Sequence, residues 1–253
     1  MMLEGKSALV TGSGRGIGRG IALALAQQGC NVVINYFRNR DDAEETAAAA
    51  EAFGVKSIVI KAHVGEEKQI ARLMSETTAA FGGVDIFVGN AASGILKPVT
   101  EVDSKAWDWT VNINARSILL CAQAAVPYMK EKGWGRILTV TSIGSRRVFP
   151  EYAAVGVSKA AIETLTRYLA VELAPFGIIC NCISPGLVLT GALKHFPNKA
   201  RMVDFAQNNT PAGRLVTPAD VGGVAAWLCS DAASMIVGQT IEVDGGYSLL
   251  ASE

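Results

Sequence analysis

The chain has 253 residues, 50% of them apolar, and carries equal numbers of acidic and basic side chains for a formal charge of zero. That length and apolar fraction suffice for a full buried core, and balanced, interspersed charge argues against nucleic-acid binding as the main task. Arg38-Asn39-Arg40 and Arg146-Arg147 are too short for a basic stripe.

No linker, low-complexity tract or short repeat divides the sequence, so one domain over 1–253 is expected. Strand-like Ser7-Ala8-Leu9-Val10 comes almost at once, leaving no room for a signal peptide, and no apolar run approaches a bilayer span. A cytoplasmic protein with no membrane partner is expected. The five cysteines match neither a zinc ribbon nor a CxxC motif, and their count is odd; buried free thiols in a reducing compartment are expected. His63 and His195 are the only histidines and lie far apart, so no metal site is expected.

Short apolar runs rich in branched residues recur at Ala8–Val10, Val32–Ile34, Ile58–Ile60, Ile86–Val88, Ile137–Val140, Ile178–Ile183 and Ile241–Val243. Runs apolar on both faces suit strands of a buried parallel sheet. Alanine-rich stretches between them predict helices at Ile17–Gln28, Ala43–Phe53, Lys68–Phe81, Trp107–Lys130, Ala153–Leu173 and Ala219–Ser230. The alternation predicts an α/β, doubly wound, Rossmann-type parallel sheet of seven strands with helices on both faces. Ligands of such sheets bind at the carboxyl ends of the strands.

The loop after the first strand reads Thr11-Gly12-Ser13-Gly14-Arg15-Gly16-Ile17-Gly18. With a strand before it and a helix after, this is a dinucleotide loop, whose glycines let the backbone approach a pyrophosphate at a helix amino terminus. The second strand ends Ile34-Asn35-Tyr36-Phe37-Arg38 with no acidic residue until Asp41. A carboxylate there would bind the ribose 2′-hydroxyl and repel a 2′-phosphate; Arg15 and Arg38 can instead both face that ribose, which favours NADPH. A solvated loop cation is the other reading of Arg38.

Tyr152 lies ten residues after Ser142 and seven before Lys159. At about 100° per residue, seven positions return the lysine to within about 20° of the tyrosine, two helical turns away. A cation on that face is expected to lower the phenol pKa and fit it for proton donation near neutrality. Taken alone, the pair reads first as an ordinary helix-start tyrosine and a surface lysine; the rest of the chain reverses that.

Together these residues resemble the short-chain dehydrogenase/reductase family from Lys6 to about Gly246. The resemblance rests on Thr11–Gly18, Asn90-Ala91-Ala92-Ser93 after strand four, Asn114, Ser142, Lys159 and Pro185-Gly186 through Thr190. It implies that Asn90 steadies the central loops beside Ala91 and that Ser142 orients substrate. Lys159 would hold the nicotinamide ribose and tune the tyrosine, and Asn114 would tie a water to that lysine. Val188 and Thr190 would lie by the carboxamide. His63, before Val64, stands where the family usually has an adenine-side aspartate, so a backbone contact would replace that one.

The family usually places its tyrosine four before the lysine, where this chain has Val155. Tyrosine seven before lysine is the pattern of the family's enoyl-acyl-carrier-protein reductases. The flanking Asn90–Gly94 and Ala192-Leu193-Lys194-His195-Phe196-Pro197 resemble the NADPH-dependent type III group. The resemblance implies reduction of the 2,3-double bond of an enoyl thioester in fatty acid synthesis. Ketone or 3-oxoacyl reduction, and a non-catalytic nucleotide-binding protein, remain as alternatives. A donor shifted by three residues moves about 4.5 Å along the helix, toward the enolate oxygen that lies two carbons from the hydride-accepting carbon.

Thr190–Leu215 reads as an irregular insertion, at about 190–215, interleaving Leu193, Phe196, Met202 and Phe205 with Lys194, Lys199 and Arg201. It is either a substrate lid, with cations including Arg214 that meet an acidic carrier protein, or an amphipathic helix with a solvated basic face. Arg146 and Arg147 are further candidate rim charges. The substrate would be linked to acyl carrier protein or CoA. Gly238–Gly246 resembles the family's last strand, which implies a homotetramer.

Overall fold

The computed structural model describes residues 1–196 and 198–250, with the side chains of Ala192 and His195 left aside. Pro197 therefore lies outside the described residues, as does the His195 side chain.

All seven expected strands form: β1 Ser7–Val10, β2 Asn31–Tyr36, β3 Ser57–Lys61, β4 Ile86–Gly89, β5 Gly135–Val140, β6 Ile178–Pro185 and β7 Thr240–Val243. Every pairing is parallel, in the order β3-β2-β1-β4-β5-β6-β7. The central β1, β4 and β5 are buried throughout, which is why their residues are apolar on both faces.

Successive residues face opposite sides of a strand, and the two faces build separate cores. Ala8, Val10, Val32, Ile34, Val88 and Leu138 pack with α1 (Gly16–Gln27), α2 (Arg40–Glu51) and α8 (Pro218–Leu228). Leu9, Val33, Phe87, Ile137 and Cys180 pack with α3 (Glu67–Phe81), α5 (Ser117–Lys132) and α6 (Ala153–Leu173). The sheet is doubly wound. From β1 the chain winds outward to β3, then crosses back to place β4 on the other side of β1. The carboxyl ends of β1 and β4 thus flank the switch point where such folds bind ligands.

Two elements differ from the sequence expectation. The helix expected over Trp107–Lys130 is broken into α4 (Ser104–Val111), a π turn at Asn112–Arg116, and α5. It starts earlier because Asp103 caps α4, accepting from the Ala106 N–H at 2.8 Å. The π turn places Asn114 where its amide bonds two distant segments, described below; single π turns inside helices recur at functional sites. The insertion after β6 is more regular than its composition suggested. It forms a 3₁₀ turn at Gly191–His195 and helix α7 (Lys199–Asn209), with Lys199 and Arg201 exposed. Helical form and solvated basic face are those of the second alternative.

The five cysteines are free and buried. Burial pushes the Cys121 and Cys180 thiols up to about 12 and that of Cys182 to about 11. No described helix is long and apolar enough to cross a membrane.

Candidate active site

At the carboxyl end of β1 the backbone turns through Gly12 (φ 65°) and Gly16 (φ 59°), left-handed conformations that glycine adopts freely. A side chain at Gly12 would also press on the Ala91 backbone at 3.1 Å. Buried Asn35 holds the loop, its Oδ1 accepting from the Gly12 N–H at 3.1 Å and its Nδ2 donating to the carbonyls of Ile60 and Ala62. Ser13 Oγ donates to the Val10 carbonyl at 2.7 Å and accepts from the Asn35 N–H at 3.0 Å. From β4, Asn90 Nδ2 donates to the Thr11 and Gly12 carbonyls at 2.8 and 3.2 Å. Thr11 Oγ1 accepts from the N–H groups of Asn90 and Ala91. These bonds tie the loop after β1 to the loop after β4. Residues Gly14 through Gly18 then enter α1, whose amino end carries no side-chain cap and leaves its first N–H groups open to an anion.

The Arg15 guanidinium lies about where a Cβ on Gly191 would touch it, at 3.8 Å, while that of Arg38 sits over the Phe37 ring at 5.9 Å. Just beyond β3, His63 is buried beside Val64, its ring edge-on to Phe37 at 4.4 Å and tilted against Trp109 at 5.2 Å. His63 Nδ1 has no hydrogen-bond partner, so this position offers an aromatic wall in place of a carboxylate.

From Pro185 at the end of β6, Gly186 leads to Val188, which bridges to Val216. The Thr190 γ-methyl stands 3.3 Å from where a Cβ on Gly16 would lie. The loop with Val188 and Thr190 therefore faces the loop after β1, as the fold requires for a shared ligand.

Ser142 follows β5, and its Oγ stands 3.5 Å from the Tyr152 hydroxyl. Tyr152 is the residue before α6, with non-helical backbone (φ −102°, ψ 8°), so its direction is set by the cap rather than by helical periodicity. Its ring packs edge-on to Phe149 at 5.8 Å and against Phe196 of the insertion at 5.7 Å. Gly144 makes room for it, since a Cβ there would fall 2.5 Å from Tyr152 Cε1.

Lys159 is buried on α6 and its Nζ donates to the Val140 carbonyl at 2.8 Å. Burial lowers the ammonium pKa to about 8, against a smaller opposing pull from Cys182. The expected lowering of the tyrosine pKa by this cation does not occur. Burial raises the Tyr152 phenol, the Ser142 contact opposes it, and Lys159 is not among the causes. The lysine's charge is directed at a strand carbonyl instead.

Asn114 is fully buried, accepting from the Ser93 N–H at 2.8 Å and donating to Ser158 Oγ at 2.9 Å. It joins the loop after β4 to α6 one residue before Lys159. Val155, where the family usually has tyrosine, is buried against Gly94 and offers no donor.

Sequence reading passed over two residues that the structure brings in. Asn35 was read only as a missing acid, yet it knots three strands. Glu163, one turn beyond Lys159, has Oε1 accepting from Thr141 at 3.1 Å and Ser145 at 2.5 Å, beneath the Ser142 turn. A polar residue on an apolar helix face was the available signal. Among the described residues no three His, Cys, Asp or Glu side chains converge as a metal-ligand group.

A family model described as enoyl-(acyl carrier protein) reductase matches residues 12–248. The chain is 39% identical over 245 residues to a 1-cyclohexenylcarbonyl-CoA reductase of Streptomyces collinus, covering 96% of this chain and 87% of that one. The chain belongs to the short-chain dehydrogenase/reductase family. A second family member, a 3-oxoacyl-(acyl-carrier-protein) reductase of Staphylococcus epidermidis, is 36% identical over 95% of this chain and 98% of its own. A solved short-chain dehydrogenase/reductase fold, 7α-hydroxysteroid dehydrogenase with NADH and 7-oxo glycochenodeoxycholic acid, superposes with a TM-score of 0.90. It is 33% identical over 96% of this chain and 94% of that one. Membership makes this chain an oxidoreductase of a family that binds NAD(H) or NADP(H).

Proposed function

We propose that the protein uses NADPH to reduce the 2,3-double bond of an enoyl thioester. The observation that carries this reading is the placement of Tyr152 beside Ser142 while Val155, at the usual donor position, is buried and cannot donate. When bound, NADPH would supply the hydride for a new C–H bond at C3 of the substrate, with the double-bond electrons passing to the thioester oxygen. Tyr152, a neutral phenol whose pKa burial pushes further up, gives its proton to that oxygen; the enol tautomerises to place that proton on C2, and solvent restores the phenol. Ser142 orients the thioester carbonyl, Asn114 holds the loop after β4 against α6, and Lys159 presents its ammonium to the nicotinamide ribose. Gly12, Ser13, Gly14, Gly16, Ile17 and Gly18 cradle the pyrophosphate with Asn90 and Ala91 behind them. Pro185, Gly186, Val188 and Thr190 bound the nicotinamide end, and His63 with Val64 bounds the adenine. The family description and the relative named for a cyclohexenylcarbonyl-CoA support the double bond as target.

NADPH is the preferred cofactor in this reading because Arg38 follows the end of β2, where no carboxylate stands. The acyl group would travel on acyl carrier protein or CoA, to which exposed Lys194, Lys199 and Arg201 offer cations. We also assign a single catalytic domain, a cytoplasmic location and a homotetramer. Exposed Leu119 on α5, and Tyr168 and Val171 on α6, form apolar faces suited to a second copy.

The second reading, 3-oxoacyl reduction, is favoured by the 36% identity to the staphylococcal reductase. NADPH oxidation with crotonyl-CoA, acetoacetyl-CoA and a simple ketone separates the two. Turnover of crotonyl-CoA with little on the others is the expected outcome. Activity confined to the oxo substrates would reject enoyl reduction, and nucleotide binding without turnover of any would indicate a binding protein.

A further inference from the structure

Glu151 is the only non-glycine residue with positive φ (62°) among those described. Side chains disfavour that conformation, and residues held in it concentrate where surrounding structure over-determines them at functional sites. The Glu151 side chain does not explain it. The carboxylate is exposed and makes no hydrogen bond or ion pair with any described residue.

The backbone does explain it. The Glu151 carbonyl accepts from the Lys97 N–H at 3.0 Å, across from the loop after β4. That loop is held at Asn90 by Thr11, at Ser93 by Asn114 and at Lys97 by the ion pair of its Nζ with Asp103 at 3.0 Å. Immediately after this corner the chain reverses: the Tyr152 N–H points back to the Phe149 carbonyl at 3.3 Å, and its carbonyl accepts the Gly156 N–H at 2.7 Å. A relaxed residue at 151 would send Tyr152 off in another direction and take its ring off Gly144 and out of the Phe149–Phe196 cage.

We infer that Glu151 is a positioning residue for the Tyr152 hydroxyl, acting through its left-handed backbone and the bond from Lys97 rather than through its carboxylate. The inference rests on Tyr152 being the donor proposed above only for its effect on turnover, not for its effect on the ring's position.

The test compares Glu151→Gly, Glu151→Gln and Glu151→Val. Glycine accepts the conformation, glutamine keeps the size without charge, and a β-branched side chain resists it. Two readouts are taken: spectrophotometric titration of the Tyr152 phenol, isolated by subtracting the Tyr152→Phe protein, and steady-state kinetics with crotonyl-CoA alongside NADPH affinity by fluorescence. The Val variant is expected to titrate nearer an ordinary tyrosine and to lose roughly tenfold to 100-fold in kcat, as small misplacements of reacting groups do, with NADPH affinity unchanged. Gly and Gln should match the parent within about twofold. A Val variant that titrates and turns over like the parent overturns the inference, as does a Gln variant as damaged as Val. If the Val chain does not fold, the Gly variant decides: a shifted phenol titration there refutes positioning by the left-handed backbone. If Tyr152→Phe keeps full activity while the Val titration shifts, the donor assignment falls and the positioning stands.

Discussion

Lys159 Nζ donates to the Val140 carbonyl at 2.8 Å, two residues before Ser142 on the same chain segment. The ammonium is buried, and its pKa falls to about 8 from an ordinary 10.5. A proposed ribose-holding cation is therefore lost within a range enzymes are assayed in. The kcat/KM for NADPH, which reports the free enzyme, is expected to decline as pH rises through about 8.

The same shift makes a stability prediction whose sign is fixed by linkage. Between about 8 and 10.5 the unfolded chain keeps this proton and the folded chain has lost it, so stability rises with pH across that window. It is lost again as pH falls through the folded value. Urea unfolding of the parent and of Lys159→Met, at pH 7 and near pH 10, should show the parent gaining on the variant at the higher pH. The tyrosines and the thiols other than Cys182, which is coupled to this ammonium, cancel between the two chains. A difference independent of pH would show that the ammonium is not desolvated.

Tyr152→Phe removes the hydroxyl and keeps the ring against Phe149, Phe196 and Gly144. The lost interaction is strongest in the transition state, so kcat should fall by about 100- to 1,000-fold with NADPH affinity nearly intact. Stopped-flow reduction and NADPH titration check the two halves separately. Near-full activity would hand the donor role to Ser142 or to water.

Gly144→Ala places a methyl 2.5 Å from Tyr152 Cε1. Overpacking of this kind costs about 1–3 kcal/mol, and here the ring can relieve it by moving away from Ser142. The variant is expected to fold, with kcat down by at least tenfold and NADPH affinity preserved. Equal turnover in parent and variant would mean the ring position is not critical.

Arg38→Asp sets like charges together at a 2′-phosphate. The Michaelis constant for NADPH should rise much more than that for NADH. Since Arg15 lies toward Gly191, Arg15→Ala should discriminate less between the two cofactors. Equal changes for both cofactors in Arg38→Asp would remove that residue from 2′-phosphate recognition.

The sheet was legible because burial on both faces leaves a local trace: Val32-Val33-Ile34 is apolar in every position, and its two faces serve two cores. The loop at Thr11–Gly18 was legible because glycine is the one residue suited to its backbone. Asn112-Ile113-Asn114-Ala115-Arg116 holds no helix breaker, so its π turn left no local sign; it follows from partners at Ser93 and Ser158, far away in sequence. The phenol's pKa was misjudged for a similar reason. Periodicity related Tyr152 to Lys159, but the burial that dominates comes with Phe149 and Phe196 folded over the ring.

The contact of Gly94 with Val155 bears on how this site can change. A Cβ on residue 94 would lie 2.2 Å from Val155 Cγ2, so neither position can be enlarged independently of the other. Alanine at 94 is harmful while valine holds 155 and tolerable once 155 is trimmed, a case in which the sign of one substitution depends on another. The order of steps then matters. Trimming 155 first opens the space that a larger residue at 94 needs.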